Sequence, residues 1–109
     1  MKIRWGVLLV AIMAWPVWAE QGRVNTPLAD VSVTTAATLV KAQNLNRVAL
    51  SCTNTDASIH VRWGSSAVTT TTGQQLRAGS SIEILSTDAV YMIAESSSVT
   101  VSCTEETTQ

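Results

Sequence analysis

His60 is the only histidine in the chain, and acid–base or metal chemistry would have to be built around it. It stands between Ile59 and Val61 in an alternating run that also contains Arg62, which places it on the outer face of a strand as a solvated side chain. A metal site needs further ligands converging on the imidazole, and the spacing supplies none. Asp56 is close in sequence but belongs to a turn composition in which Asp caps backbone amides. A serine nucleophile requires a base and an oxyanion hole. Gly64, Ser65 and Ser66 offer neither a Gly-X-Ser-X-Gly elbow nor an adjacent histidine. A carboxylate pair for glycoside hydrolysis would have to be drawn from Asp56, Glu83, Asp88, Glu95, Glu105 and Glu106. Most of these fall on turns or in the C-terminal tail, where carboxylates are simply solvated. Cys52 and Cys103 are far apart and form no Cys-X-X-Cys motif, so redox catalysis has no basis. The residues therefore assign no catalytic site, no metal and no cofactor, and the protein reads as a non-enzyme.

The cysteines take their meaning from the start of the chain. Lys2 and Arg4 precede an apolar run from Trp5 to Met13 and a Val17-Trp18-Ala19 exit, the pattern of a secretory signal peptide over residues 1–19. Pro16 interrupts the run, which is shorter than the ~20 residues of a membrane span. Any membrane association is confined to this segment, if it stays uncleaved. The expected location is across the inner membrane, as a periplasmic, extracellular or virion-associated protein. In such a compartment Cys52 and Cys103 read as one intrachain disulfide. Closing a loop of about fifty residues would contribute roughly 4 kcal/mol to a domain too small to bury a large core.

Beyond residue 19 the chain keeps five Lys and Arg against eight Asp and Glu, a net charge of minus three. That balance gives no electrostatic grip on nucleic acid. Period-two alternation runs through most of this part, as expected for half-buried strands. Val48, Leu50 and Cys52 alternate with Ala49, Ser51 and Thr53; Val99, Val101 and Cys103 alternate with Thr100, Ser102 and Thr104. Ile59, Val61 and Trp63, then Ile82 and Ile84, then Val90, Met92 and Ala94, form further inward sets. Weak strands are expected at 39–42 and around Val31 and Val33. Turn residues at 54–58, 64–66, Gly73, Gly79 and 86–88 separate them. The rhythm of about ten residues predicts an all-β fold, a small antiparallel β-sandwich or barrel, over 31–104. Residues 20–30 read as an N-terminal arm and 105–109 as a flexible tail. The threonine run 69–72 reads as an exposed edge or loop.

Trp63 and Tyr91 are the only aromatic residues after residue 19. Trp63 continues an inward set and is either core or, at the rim before Gly64, a surface contact. Tyr91 alternates with inward Met92 and is a candidate surface contact.

The order of segments carries a resemblance. Ala37-Thr38-Leu39-Val40, Asn44-Leu45-Asn46-Arg47-Val48-Ala49-Leu50 and Ile59-His60-Val61-Arg62-Trp63-Gly64 are followed by Leu76-Arg77-Ala78-Gly79-Ser80-Ser81-Ile82-Glu83-Ile84 and Val90-Tyr91-Met92-Ile93-Ala94. Over residues 34–101 this is similar to small β-sandwich proteins and domains of bacteriophage virions. The resemblance implies turns at Gly64 and Gly79, and Arg47, Glu83 and Tyr91 as polar ties between strands. It carries over no catalytic or ligand residue. The signal segment and the cysteine pair depart from the phage pattern. A virion assembled at a membrane, or a module adopted for a bacterial envelope, would accommodate both. The expected function is a secreted structural or assembly protein, a phage virion or phage-derived accessory component, acting through a protein partner or self-association. The alternative is a periplasmic or extracellular binding module that recognises a glycan or protein through Trp63 and Tyr91.

Overall fold

The computed structural model describes residues 22–108, so the expected signal segment lies outside the described residues. Alternating β-branched residues, punctuated by Gly, Asn and Ser turns, fold into nine strands. These are β1 (Arg23–Pro27), β2 (Val31–Val33), β3 (Thr38–Lys41), β4 (Arg47–Asn54), β5 (Val61–Gly64), β6 (Gln74–Leu76), β7 (Ser81–Ile84), β8 (Val90–Ala94) and β9 (Val99–Thr108). No helix occurs among the described residues. One sheet has the order β1-β9-β4-β7 with β2 also on β9; the other runs β3-β8-β5-β6. All pairings are antiparallel. The expected all-β antiparallel sandwich with one intrachain disulfide is what forms.

The facing sheets enclose a core in which Leu50, Ile84, Met92, Val33, Val61 and Val101 are the largest fully buried apolar side chains. Each such residue contributes about 1.5–3 kcal/mol by leaving water. Among the described strands only β5 and β6 form a hairpin; most other successive strands alternate between the sheets. Gly73 ends the β5–β6 loop at φ 101°, where an added Cβ would stand 2.6 Å from Val68 Cγ2 and 3.0 Å from the Trp63 carbonyl oxygen. Only glycine fits there.

Several expectations need correction. The arm contains β1, which pairs along residues 104–108 of β9. The tail is strand as far as Thr108, and Glu105 within it is buried. Its pattern is that of a strand whose inward residue is a carboxylate, which an apolar template does not register. Asn54, expected in a turn, is the last inward residue of β4 and fully buried. Its Nδ2 donates to the Ile59 and Leu76 carbonyls at 2.9 and 3.2 Å, tying β4 to the opposite sheet. Val48 is only half-buried because the β4–β9 register shifts between Arg47 and Ala49. Residues 69–72, expected as an exposed edge or loop, form a loop that closes on itself. Thr69 and Thr72 form an isolated bridge, and their Oγ1 atoms lie 2.6 Å apart.

Candidate functional site

The disulfide is built by the ladder itself. Cys52 on β4 stands directly opposite Cys103 on β9, their Cα atoms are 4.1 Å apart, and the bond joins residues 51 positions apart. Both cysteines are buried in the core. No free cysteine remains among the described residues.

One turn away, the β4 bulge creates the main polar feature of the molecule. An extra residue in one strand reverses the facing of everything beyond it. Strict alternation would turn Arg47 outward; the bulge at Val48 turns it inward, onto the face of Leu50 and Glu105. There its side chain is completely buried, and Nε donates to Glu105 Oε2 at 2.9 Å. Nη1 donates to the Ser86 and Asp88 carbonyls at 3.1 and 2.9 Å, and Nη2 to the Ala42 carbonyl at 2.6 Å. Asn44 Nδ2 reaches the same carboxylate oxygen at 3.4 Å, and Lys41 Nζ lies 3.9 Å from the other. The guanidinium thus pins the β3–β4 and β7–β8 loops together, helped by the Asn44 amide donating to the Thr87 carbonyl at 2.9 Å. This confirms Arg47 as a tie between strands. Glu83, expected in the same role, is exposed on β7 and has no ion-pair partner among the described residues.

The loops so fixed carry two leucines in water. Leu45 is 78% and Leu85 70% exposed. Both lie beside residues bound to the Arg47 hub, at the same end of the sandwich. Charge and hydrogen bonding in the interior therefore hold apolar side chains outside it.

The outer face of the second sheet holds the other polar cluster. Glu95 Oε2 accepts from Gln75 Nε2 at 2.8 Å and from Arg62 Nε at 3.1 Å, while Arg62 Nη1 donates to the Gly73 carbonyl. The Gln75 amide, with the charge and hydrogen bond of Arg62, holds the Glu95 carboxyl below the usual carboxylate range. Tyr91 lies on this face, half-buried, opposite Leu39 on one side and Gly64 on the other. It makes no side-chain hydrogen bond among the described residues, so it is not a polar tie. Leu39, 47% exposed, extends the apolar surface at the sheet edge. Trp63 faces the other way, half-buried against the core beside Met92, with its indole N–H enclosed and without an acceptor.

The remaining reactive groups are occupied structurally. His60 Nδ1 accepts from the Ala78 amide at 3.0 Å. Asp56 Oδ2 accepts from the Ser58 and Ile59 amides at 2.9 and 2.7 Å, and those two bonds lower its pKa. Among the described residues no group of His, Cys, Asp or Glu is placed to hold a metal ion. What the arrangement offers is recognition: two loop-borne leucines, a tyrosine on a sheet face, and open strand edges.

No family model matches the chain, and no curated protein matches it. Among solved structures it is similar to a chain from Bacillus endospore appendages, which form a family of disulfide-linked pili. Identity is 18% and the TM-score 0.47, over 81% of this chain and 90% of that one.

Proposed function

We propose that this protein is an exported, non-enzymatic structural domain that acts by protein–protein contact within an assembly. The observation that carries the reading is the rigid display of Leu45 and Leu85 on two loops cross-tied by a buried arginine. Surface leucines scattered singly mean little, whereas pre-ordered apolar side chains at one end of a domain lose little entropy on docking. The polar groups strengthen the same view. His60, Asp56, Arg62 and Glu95 are engaged in holding backbone or neighbouring strands. A role as a phage virion or phage-derived accessory component is the finer form of the proposal, supported by the sequence resemblance over residues 34–101.

Size-exclusion chromatography with light scattering tests it. The oxidised protein should form a discrete oligomer, and Leu45→Ser with Leu85→Ser should convert it to monomer without loss of secondary structure. A monomer at all concentrations tested would overturn the assembly reading. Tyr91, half-exposed between Leu39 and Gly64, favours a second reading, a binding module for glycan or protein on the outer sheet face. For that reading, Tyr91→Ala must abolish a measurable interaction while leaving the oligomer intact.

A further inference from the structure

We propose that β1 is an exchangeable strand that pairs with β9 of a second copy of this chain. The inference rests on the assembly reading above and names the element that links the copies.

All five residues of β1 are exposed. A strand with no side chain in the core is held mainly by its main-chain ladder and opens far more readily than the fold as a whole. Among the described residues its one side-chain tie is Arg23 Nη1 to Glu106 Oε2 at 3.1 Å, with the two side chains 59% and 30% exposed. Exposed pairs of this kind contribute little. The neighbouring strand is different: β2 lies on the same edge of β9 but buries Val33 completely. The break between anchored and unanchored chain is sharp. Pro27 faces Thr104 and Val31 faces Val101, so four residue steps on one strand span three on the other. That is a bulge, and bulges bend or end a pairing. Leu28, within it, packs against the core and donates its amide to the Cys103 carbonyl at 3.0 Å, which marks where the fixed chain begins.

Lifting β1 leaves residues 104–108 of β9 with an unpaired edge, a template for any extended strand of the same pattern. A second copy brings that pattern with identical register and the same Arg23–Glu106 complementarity. Nothing in the ladder distinguishes a strand from its own chain from one donated by a neighbour. Docked copies stand at high local concentration, so exchange becomes competitive where an assembly holds the partners together. A reciprocal exchange closes a pair; a one-way exchange continues as a chain of copies.

Cysteine pairs read the exchange directly. Val24 faces Thr107 across the β1–β9 ladder, and both side chains are accessible. Val24→Cys and Thr107→Cys single variants, distinguished by mass, are co-expressed as full chains and oxidised with glutathione disulfide. A bond between them can form only in trans. The expected result is a covalent heterodimer that retains the Cys52–Cys103 bond, forming on the order of a hundred-fold faster than a Val24→Cys with Glu83→Cys control. A heterodimer no faster than that control, together with a Val24→Cys/Thr107→Cys double variant that cross-links wholly within one chain, would overturn the exchange. Light scattering on the native protein separates the two ideas. An intact oligomer with cross-links only in cis refutes exchange and spares the assembly reading, whereas a monomer with cross-links only in cis refutes both.

Discussion

Replacing Arg47 by Met removes the one guanidinium that the β4 bulge turns inward. The side chain is fully buried and bonds Glu105 and the carbonyls of Ala42, Ser86 and Asp88. Removing one partner of a buried ion pair costs about 3–5 kcal/mol, because the other charge stays desolvated. Asn44 and Lys41 remain near Glu105, at 3.4 and 3.9 Å, which places the expectation at the lower end, about 3 kcal/mol. A domain of this size has a total stability on the order of 5–13 kcal/mol, so the loss is roughly a quarter to three-fifths of it. In urea, with a slope of about 1 kcal/mol/M, the midpoint should fall by roughly 3 M. Pairing Arg47→Met with Glu105→Leu should recover about 2 kcal/mol of the summed single losses, since the two residues act as a unit. An Arg47→Met midpoint within 1 M of the wild type, or single losses that simply add, would refute the assignment of the pair as the hub of that end.

Reduction, or Cys52→Ala or Cys103→Ala, should each lower stability by about 4 kcal/mol in denaturant titrations and by similar amounts, because one bond closes the long loop between β4 and β9. Gly73→Ala should cost more than Gly79→Ala on thermal melting. Both have positive φ, but a Cβ at Gly73 meets Val68 and Trp63 whereas at Gly79 it meets nothing within 4 Å. Asp56 and Glu95 both ionise below the usual carboxylate range in the folded protein. Their unfolded forms therefore bind protons first as pH falls, so stability is full above about pH 5 and declines through and below pH 4. Asp56→Asn and Glu95→Gln should each flatten that acid limb, and equilibrium unfolding at a series of pH values checks the slope.

The strands were legible where burial is apolar. Val61, Ile84, Met92 and Val101 alternate with polar residues, and each is buried as the period requires. Legibility failed where burial is polar or where the period breaks. Glu105 and Asn54 continue their strands by one inward step beyond the cysteines, but a carboxylate and an amide read as tail and turn. Arg47 was hidden by a single extra residue, Val48, which reverses facing without any mark in composition. The resemblance to phage proteins pointed to Arg47 without saying what it holds. β1 has no apolar alternation to detect, since none of its residues enters the core. The half-buried placement of Trp63 follows from its position in the Ile59, Val61 series.

The place of β9 in the first sheet bears on when this protein can fold. β9 is the last strand among the described residues, and β1, β2 and β4 all pair with it. Until the ten residues of β9 are available, three strands lack their common partner and Cys52 has nothing to meet. Long-range pairing of this kind is slow and is not begun by local contacts. A chain emerging N-terminus first therefore cannot close its first sheet until β9 has been made. The strand that bridges β1, β2 and β4 is thus also the one on which closure of the sandwich waits.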